Sequence, residues 1–175
     1  LIALARGGIS WKGLSEVLQE TALTTASLFA VLIGAWIFSN FVNLAGLPEA
    51  LLAAVTAFDL GPWVVMGLIL LIYIVLGCVF ESMSMLLLTV PIFFPLVNSL
   101  GFDPVWFGII VVVVTEISLI TPPVGLNVFV LKSVVGDVTT ATIFKGVTPF
   151  WMMDIVRLIL LLLFPTLVLF LPSQM

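Results

Sequence analysis

The sequence predicts an all-α polytopic membrane protein with two apolar segments interrupted partway along. Three observations carry this. Of 175 residues, 63% are hydrophobic and 8% are charged, against about 25% charged in soluble domains. Several apolar runs approach or exceed the roughly 20 residues that cross a bilayer as a helix. Within them stand "GCVFES" (Gly77–Ser82) and "TPPVG" (Thr121–Gly125), neither of which continues a helix smoothly.

The composition removes several function classes. With no histidine, the usual zinc site, a Ser–His hydrolase and a rhomboid-type intramembrane protease are excluded, and no enzyme is expected. A single cysteine, Cys78, excludes an internal disulfide. The net charge of −4 comes from few groups, and no basic, aromatic-interleaved patch points to nucleic acid.

The opening "LIALARGGIS" has neither an initiator Met nor a signal-peptide pattern. It reads as the start of a piece of a longer chain whose N-terminal part is missing. In "ISWKGLSEVLQE" (9–20), Trp11, Leu14 and Leu18 fall near one helical face and Lys12, Glu16 and Glu20 on another, the pattern of an amphipathic arm on a membrane surface. Residues 21–46 are long enough to span, and Gly46 and Pro48 stop them. Residues 47–58 are too short to span. Pro48 suits a first helical turn and Glu49 its positive end, so this is a short interfacial helix that completes a first unit, 1–58.

Residues 62–100 hold two apolar halves around "GCVFES", the second carrying Pro91 and Pro95. They form either a re-entrant hairpin or two full spans with a sharp polar turn. Residues 103–136 are a broken helix: Asp103 and Pro104 open it, "TPPVG" breaks it, and "GLNVFVLKSVVGD" resumes it. The last span lies within 144–172, where Pro149 and Pro165 bend it or mark its ends. Charge supports a return of 62–100 to the side it entered. Arg6, Lys12, Lys132 and Lys145 then share one side, cytoplasmic by the positive-inside rule. Glu49, Asp59 and Asp103 share the other.

Unpaired backbone groups cost several kcal/mol each in hydrocarbon, so irregular backbone survives only inside protein or beside a watery cavity. Pro122 and Pro123 lack N–H donors and disfavour helix before them. The carbonyls around Ser118 and Leu119 are therefore expected to lose their partners, next to the Thr121 hydroxyl, while Gly125 lets the chain turn and restart. Such hard oxygens suit Na+. The restarted helix offers N–H groups and a positive dipole end near Leu126 and Asn127 to an anion. Broken helices of this kind mark binding sites in secondary transporters. A proline kink at a helix contact is the plainer alternative, and the second break at "GCVFES" favours a site.

Thr115, Ser118 and Thr121 share a helix face. Bonding of a hydroxyl back to its own helix is expected more for Thr115 than for Thr121, whose helix ends there. Glu81 and Glu116 are carboxylates at membrane depth and hence functional candidates, Glu116 as a coupling group or as a structural partner. Asp154 and Arg157 read as a helix-internal pair, with Arg157 snorkelling to the cytoplasmic side. Asn40 and Asn43 read as capping or contact residues.

"LGCVFESMSMLLLTVPIFFPLVNSLGFDPVWFG", "ITPPVGLNVFV" and "KGVTPFWMMDIVRLILLLLFP" together resemble the C-terminal half of the large membrane subunit of TRAP (tripartite ATP-independent periplasmic) transporters. The resemblance runs from about Thr21 to Pro172. It implies membership of the ion-transporter superfamily, whose large subunits are built from two inverted repeats, each with a re-entrant hairpin and a broken helix in an elevator-type transport domain. This chain would be the second repeat, with residues 59–143 in the transport domain, 144–175 as the C-terminal helix and an N-terminal half missing. It also implies Na+-driven import of organic acids, dicarboxylate or sialic-acid type, across the bacterial inner membrane. A periplasmic solute-binding protein would deliver the substrate and a small membrane subunit would brace the large one.

By position, the resemblance places Na+ ligands at Gly77, Glu81 and Ser82 of the hairpin tip and at Thr121, Pro122 and Gly125 of the break, beside the Ser118 carbonyl. The organic anion would lie at Ser82, Pro123, Gly125 and Asn127. No organic cofactor is implied. The chain departs from the family at Met83, where many members carry a small residue or threonine, and at "VTEIS", where many have an Asn-containing stretch. Glu116 therefore raises a second reading, a proton-coupled or single-component transporter of the same superfamily using Glu81 or Glu116. A channel with re-entrant segments is a third.

Overall fold

A computed structural model describes residues 10–136 and 138–174; Arg6 and Ile9, used above, lie outside them. The chain is helical in the order α1 (Trp11–Leu44), α2 (Leu47–Ala57), α3 (Pro62–Gly77), α4 (Ser82–Ser99), α5 (Pro104–Ser118), α6 (Leu126–Val135), α7 (Thr140–Leu163) and α8 (Pro165–Leu169), with a 3-10 turn at Pro172–Gln174.

The amphipathic stretch and the first span are one helix. α1 has 34 residues, about 51 Å at 1.5 Å per residue, and from Leu14 to Ile33 it holds neither glycine nor proline to bend it. Ser10 caps it by accepting a hydrogen bond from the Gly13 N–H at 3.1 Å. Asn40 and Asn43 donate their side-chain amides to the Trp36 and Ser39 carbonyls of their own helix, each at 2.9 Å. α1 ends at Gly46, whose φ of 71° lies in the region that glycine enters without steric cost. Pro48 and Glu49 then open α2.

α5 is the centre of the fold. Asp103 caps it, its carboxylate accepting from the Val105 and Trp106 N–H groups at 2.8 and 3.0 Å, and Pro104 occupies its first turn. Trp106, Phe107, Ile110, Val111, Val114 and Ile117 are buried at helical spacing. They pack with Val65, Met66, Ile69 and Tyr73 of α3 and with Met85, Leu96 and Val97 of α4, while Leu158 and Val168 close the far side from α7 and α8.

Aromatic pairs and hydrogen bonds fix the helix directions. Trp63 and Trp106, at the starts of α3 and α5, stand edge to face with ring centres 6.2 Å apart, and Phe102 stacks on Trp106 at 5.3 Å. Gly77 and Ser118 meet at the opposite ends of the same two helices, so α3 and α5 run parallel. α3 and α4 form an antiparallel hairpin. The hydroxyls of Tyr73 and Thr89 lie 2.7 Å apart across it, and Tyr73 also faces the Phe93 ring at 5.8 Å. Thr89 gives its one proton to the Met85 carbonyl, so Tyr73 is the donor between the two hydroxyls. α7 runs antiparallel to α5. The Trp106 indole N–H donates to the Leu161 carbonyl at one end, and the Trp151 indole N–H donates to Thr121 Oγ1 at the other, both at 2.9 Å.

The prolines divide by position. Pro91 and Pro95 sit inside α4, and Pro149 sits inside α7, without ending either. Pro165 does end α7, because Phe164 before it leaves the helical region at φ −123°, ψ 72°. The last long helix therefore spans Thr140–Leu163, beginning earlier than the sequence predicts and ending before Pro165, one of the two prolines expected to bend or bound it.

Among the described helices, Trp11–Leu44, Ser82–Ser99 and Thr140–Leu163 are long and apolar enough to cross a membrane. α3 and α5 have 16 and 15 residues, about 24 and 22 Å, short of a hydrocarbon core of about 30 Å. Large apolar side chains are exposed along most of α1 and α7, among them Leu28, Phe29, Trp36, Phe150, Met153 and Leu163. Only Ala35 and Val42 of α1 are buried.

Candidate functional site at the two helix breaks

The two breaks, far apart in sequence, adjoin in space. Gly77 ends α3 and Ser118 ends α5, and a side chain at position 77 would collide with the Ser118 Cβ and Oγ. The last carbonyls of a helix lack intrahelical partners and carry the negative end of its dipole. Two such ends converge at this contact. From the same region the chain leaves through Cys78–Glu81 into the N-terminus of α4, and through Leu119–Gly125 into the N-terminus of α6.

At the first break Glu81 is a helix cap. Its two carboxylate oxygens accept from the Met83 and Ser84 N–H groups at 3.0 and 3.1 Å, and Ser84 Oγ lies 3.3 Å from one of them. Ser82 begins α4 and is half-buried. Glu81 lines a cavity of about 290 Å³ between α1 and α4, among Thr25, Leu28, Leu32 and Leu87.

At the second break the carbonyls keep partners, contrary to the expectation from the prolines. The last turn of α5 tightens to three-residue bonds, Thr121 N–H donating to Ser118 O at 3.2 Å and Ile120 N–H to Ile117 O at 3.2 Å, as helix ends commonly do. Leu119 O accepts from the Asn127 N–H of the restarted helix at 3.1 Å. Each carbonyl has two lone pairs, so Ser118 O and Leu119 O each retain one for a further donor or a cation, whereas Ile117 O also accepts the Thr121 hydroxyl and retains none. The Asn127 N–H is thereby committed within the chain, while its side chain is exposed.

The hydroxyls also differ from expectation. Thr121 bonds back to Ile117 O at 2.7 Å and Ser118 bonds back to Thr115 O, whereas Thr115 Oγ1 is buried without a partner. The reason lies in the tightened turn: Thr121's N–H serves Ser118, so its hydroxyl is free to reach the Ile117 carbonyl in its place. Gly125 adopts φ 59° and lies so close to Phe144 of α7 that a Cβ there would stand 3.3 Å from the ring. Pro122 and Pro123 are exposed, joined by a cis bond. Glu116 is exposed on the outer face of α5.

The structure thus unites Gly77 with Ser118, and the Thr121–Gly125 break with α7. It sets Glu81 towards α1 and Glu116 outward. Among the described residues no group of three or more His, Cys, Asp or Glu side chains gathers to hold a metal. A cation held here would be bound by carbonyls and hydroxyls. Sequence reasoning missed Trp151, whose indole reaches Thr121 from thirty residues away, and nothing local to "PFWMMD" signals that contact.

Comparison with known proteins shows the family of the chain. Residues 1–167 match the family described as tripartite ATP-independent periplasmic transporter, DctM component. The chain is 36% identical over 158 residues to the C4-dicarboxylate TRAP transporter large permease protein of Pseudomonas aeruginosa, covering 90% of this chain and 37% of that protein. It is 34% identical over 165 residues to the sialic acid TRAP transporter large permease protein of Vibrio cholerae, covering 94% and 38%. It is 33% identical over 158 residues to the ectoine/5-hydroxyectoine large permease protein of Ruegeria pomeroyi, covering 89% and 36%. The chain therefore spans somewhat over a third of the length of these relatives.

Proposed function

This chain belongs to the DctM-component family of tripartite ATP-independent periplasmic transporters, and we propose that it contributes one of two inverted halves of a Na+-coupled importer of organic acids. Residues 62–100 act as a re-entrant hairpin, and residues 103–136 as a broken helix, in a transport domain that moves as an elevator within the bacterial inner membrane. A small membrane subunit and a periplasmic binding protein complete the transporter. Relatives are named for C4-dicarboxylates, sialic acid and ectoine, and of these chemistries the proposal takes the organic acids.

The observation that supports this reading best is the contact of Gly77 with Ser118. It brings two helix C-terminal ends together at a point where both chains break. Converging negative dipole ends and carbonyls with spare lone pairs favour a cation, and the adjacent N-terminal end of α6 favours an anion. Binding the cation would join the hairpin to the broken helix and complete the anion site beside Ser82, Pro123, Gly125 and Asn127. Glu81, with both oxygens engaged as a cap, then serves to shape the tip.

The test is uptake of a labelled organic acid into proteoliposomes of the full transporter with its binding protein, under an imposed Na+ gradient or an imposed proton gradient. Uptake driven by Na+ at fixed pH is expected. Uptake that follows only the proton gradient overturns the Na+ assignment, and ion currents far exceeding substrate uptake would indicate a channel.

A further inference from the structure

Thr121 Oγ1 is the most constrained polar atom of the second break. Its one proton goes to the Ile117 carbonyl at 2.7 Å. One of its two lone pairs accepts the Trp151 indole N–H at 2.9 Å, which leaves one. Trp151 comes from α7, so this bond ties the break to a helix outside the hairpin and the broken helix. Its ring also walls a cavity of about 220 Å³ with Ile120, Pro122, Phe144, Val147 and Thr148. An indole nitrogen can only donate. It therefore holds Thr121 in one rotamer, with its proton turned to Ile117 and an oxygen lone pair left over.

We propose that Trp151 is a positioning residue for the coupling cation: its indole N–H orients the Thr121 hydroxyl so that the remaining lone pair of Oγ1 serves as a cation ligand. This rests on the Na+-site reading above and adds to it a residue from α7. A pre-oriented oxygen binds a cation without the cost of ordering its side chain, whereas a freely rotating hydroxyl bears that cost on binding.

The experiment is a double-mutant cycle in the full, reconstituted transporter. Na+-dependent uptake of a labelled organic acid is measured for wild type, Trp151→Phe, Thr121→Val and the double variant. Trp151→Phe keeps an aromatic ring and removes the donor. It should raise the Na+ concentration for half-maximal uptake about fivefold, the worth of one ordinary hydrogen bond, with the substrate KM at saturating Na+ unchanged. In the Thr121→Val background, where no oxygen remains to orient, Trp151→Phe should add no further shift. Trp151→His, which retains a ring N–H, should restore part of the Na+ affinity and serves if the Phe variant fails to fold. An unchanged Na+ dependence in Trp151→Phe overturns the inference while leaving the Na+ reading intact. So does a shift that adds fully to that of Thr121→Val, which would mark Trp151 as a packing residue. Wild-type uptake without Na+ dependence overturns both.

Discussion

Gly77 lies directly against Ser118, so the end of the first hairpin helix and the end of the central helix share one point in space. No β-carbon fits between them. Both residues are buried, and α3 packs parallel on α5 along the core from Trp63 and Trp106 to this contact. Gly77→Ala should therefore lower the thermal stability of the purified transporter, by about 1–3 kcal/mol as for overpacking elsewhere, and reduce uptake with it. Melting followed in detergent checks the first part. A variant as stable as the wild type would show that the contact relaxes at little cost.

The hairpin reading predicts that both ends of residues 62–100 open on the same face of the membrane. Single cysteines at Asp59 and Gly101, in a background with Cys78 replaced, should react with an impermeant thiol reagent from the same side of oriented vesicles. Reaction from opposite sides would mean that the segment crosses once.

Arg157 reads as structural. Its guanidinium stands 3.1 Å from the Asp154 carboxylate one turn earlier in α7, and both side chains are partly exposed. Arg157→Lys keeps the charge and its reach to Asp154 one turn away, and should keep uptake with the substrate KM within about twofold. A large loss of substrate affinity would place the arginine on the anion instead.

The parts of this fold that local chemistry dictates were legible in the sequence. Asp103 followed by Pro104 announces the start of α5, Gly46 and Pro48 announce the turn into α2, and "TPPVG" announces the break. Each rests on a backbone preference confined to a few residues. The join between the amphipathic stretch and the first span was not legible, because amphipathic and uniformly apolar stretches can belong to one helix. The carbonyl partners at the break are not legible in the sequence for a related reason. Proline removes a donor, yet the preceding turn tightened and Asn127 folded back, and both responses depend on the three-dimensional path of the chain. Gly77 on Ser118 and Trp151 on Thr121 are long-range contacts with no local pattern, so only the structure reveals them.

The central claim is that the helix breaks at "TPPVG" to present oxygen to a coupling cation. The most direct test is Thr121→Val in the full transporter, with uptake measured at varied Na+ and fixed pH. The substitution keeps the branched shape and removes the hydroxyl. It should raise the Na+ concentration for half-maximal uptake about tenfold, as expected when a charged partner loses one ligating bond, with the substrate KM at saturating Na+ little changed. An unchanged Na+ dependence would contradict the account and turn attention to Glu81 and Glu116.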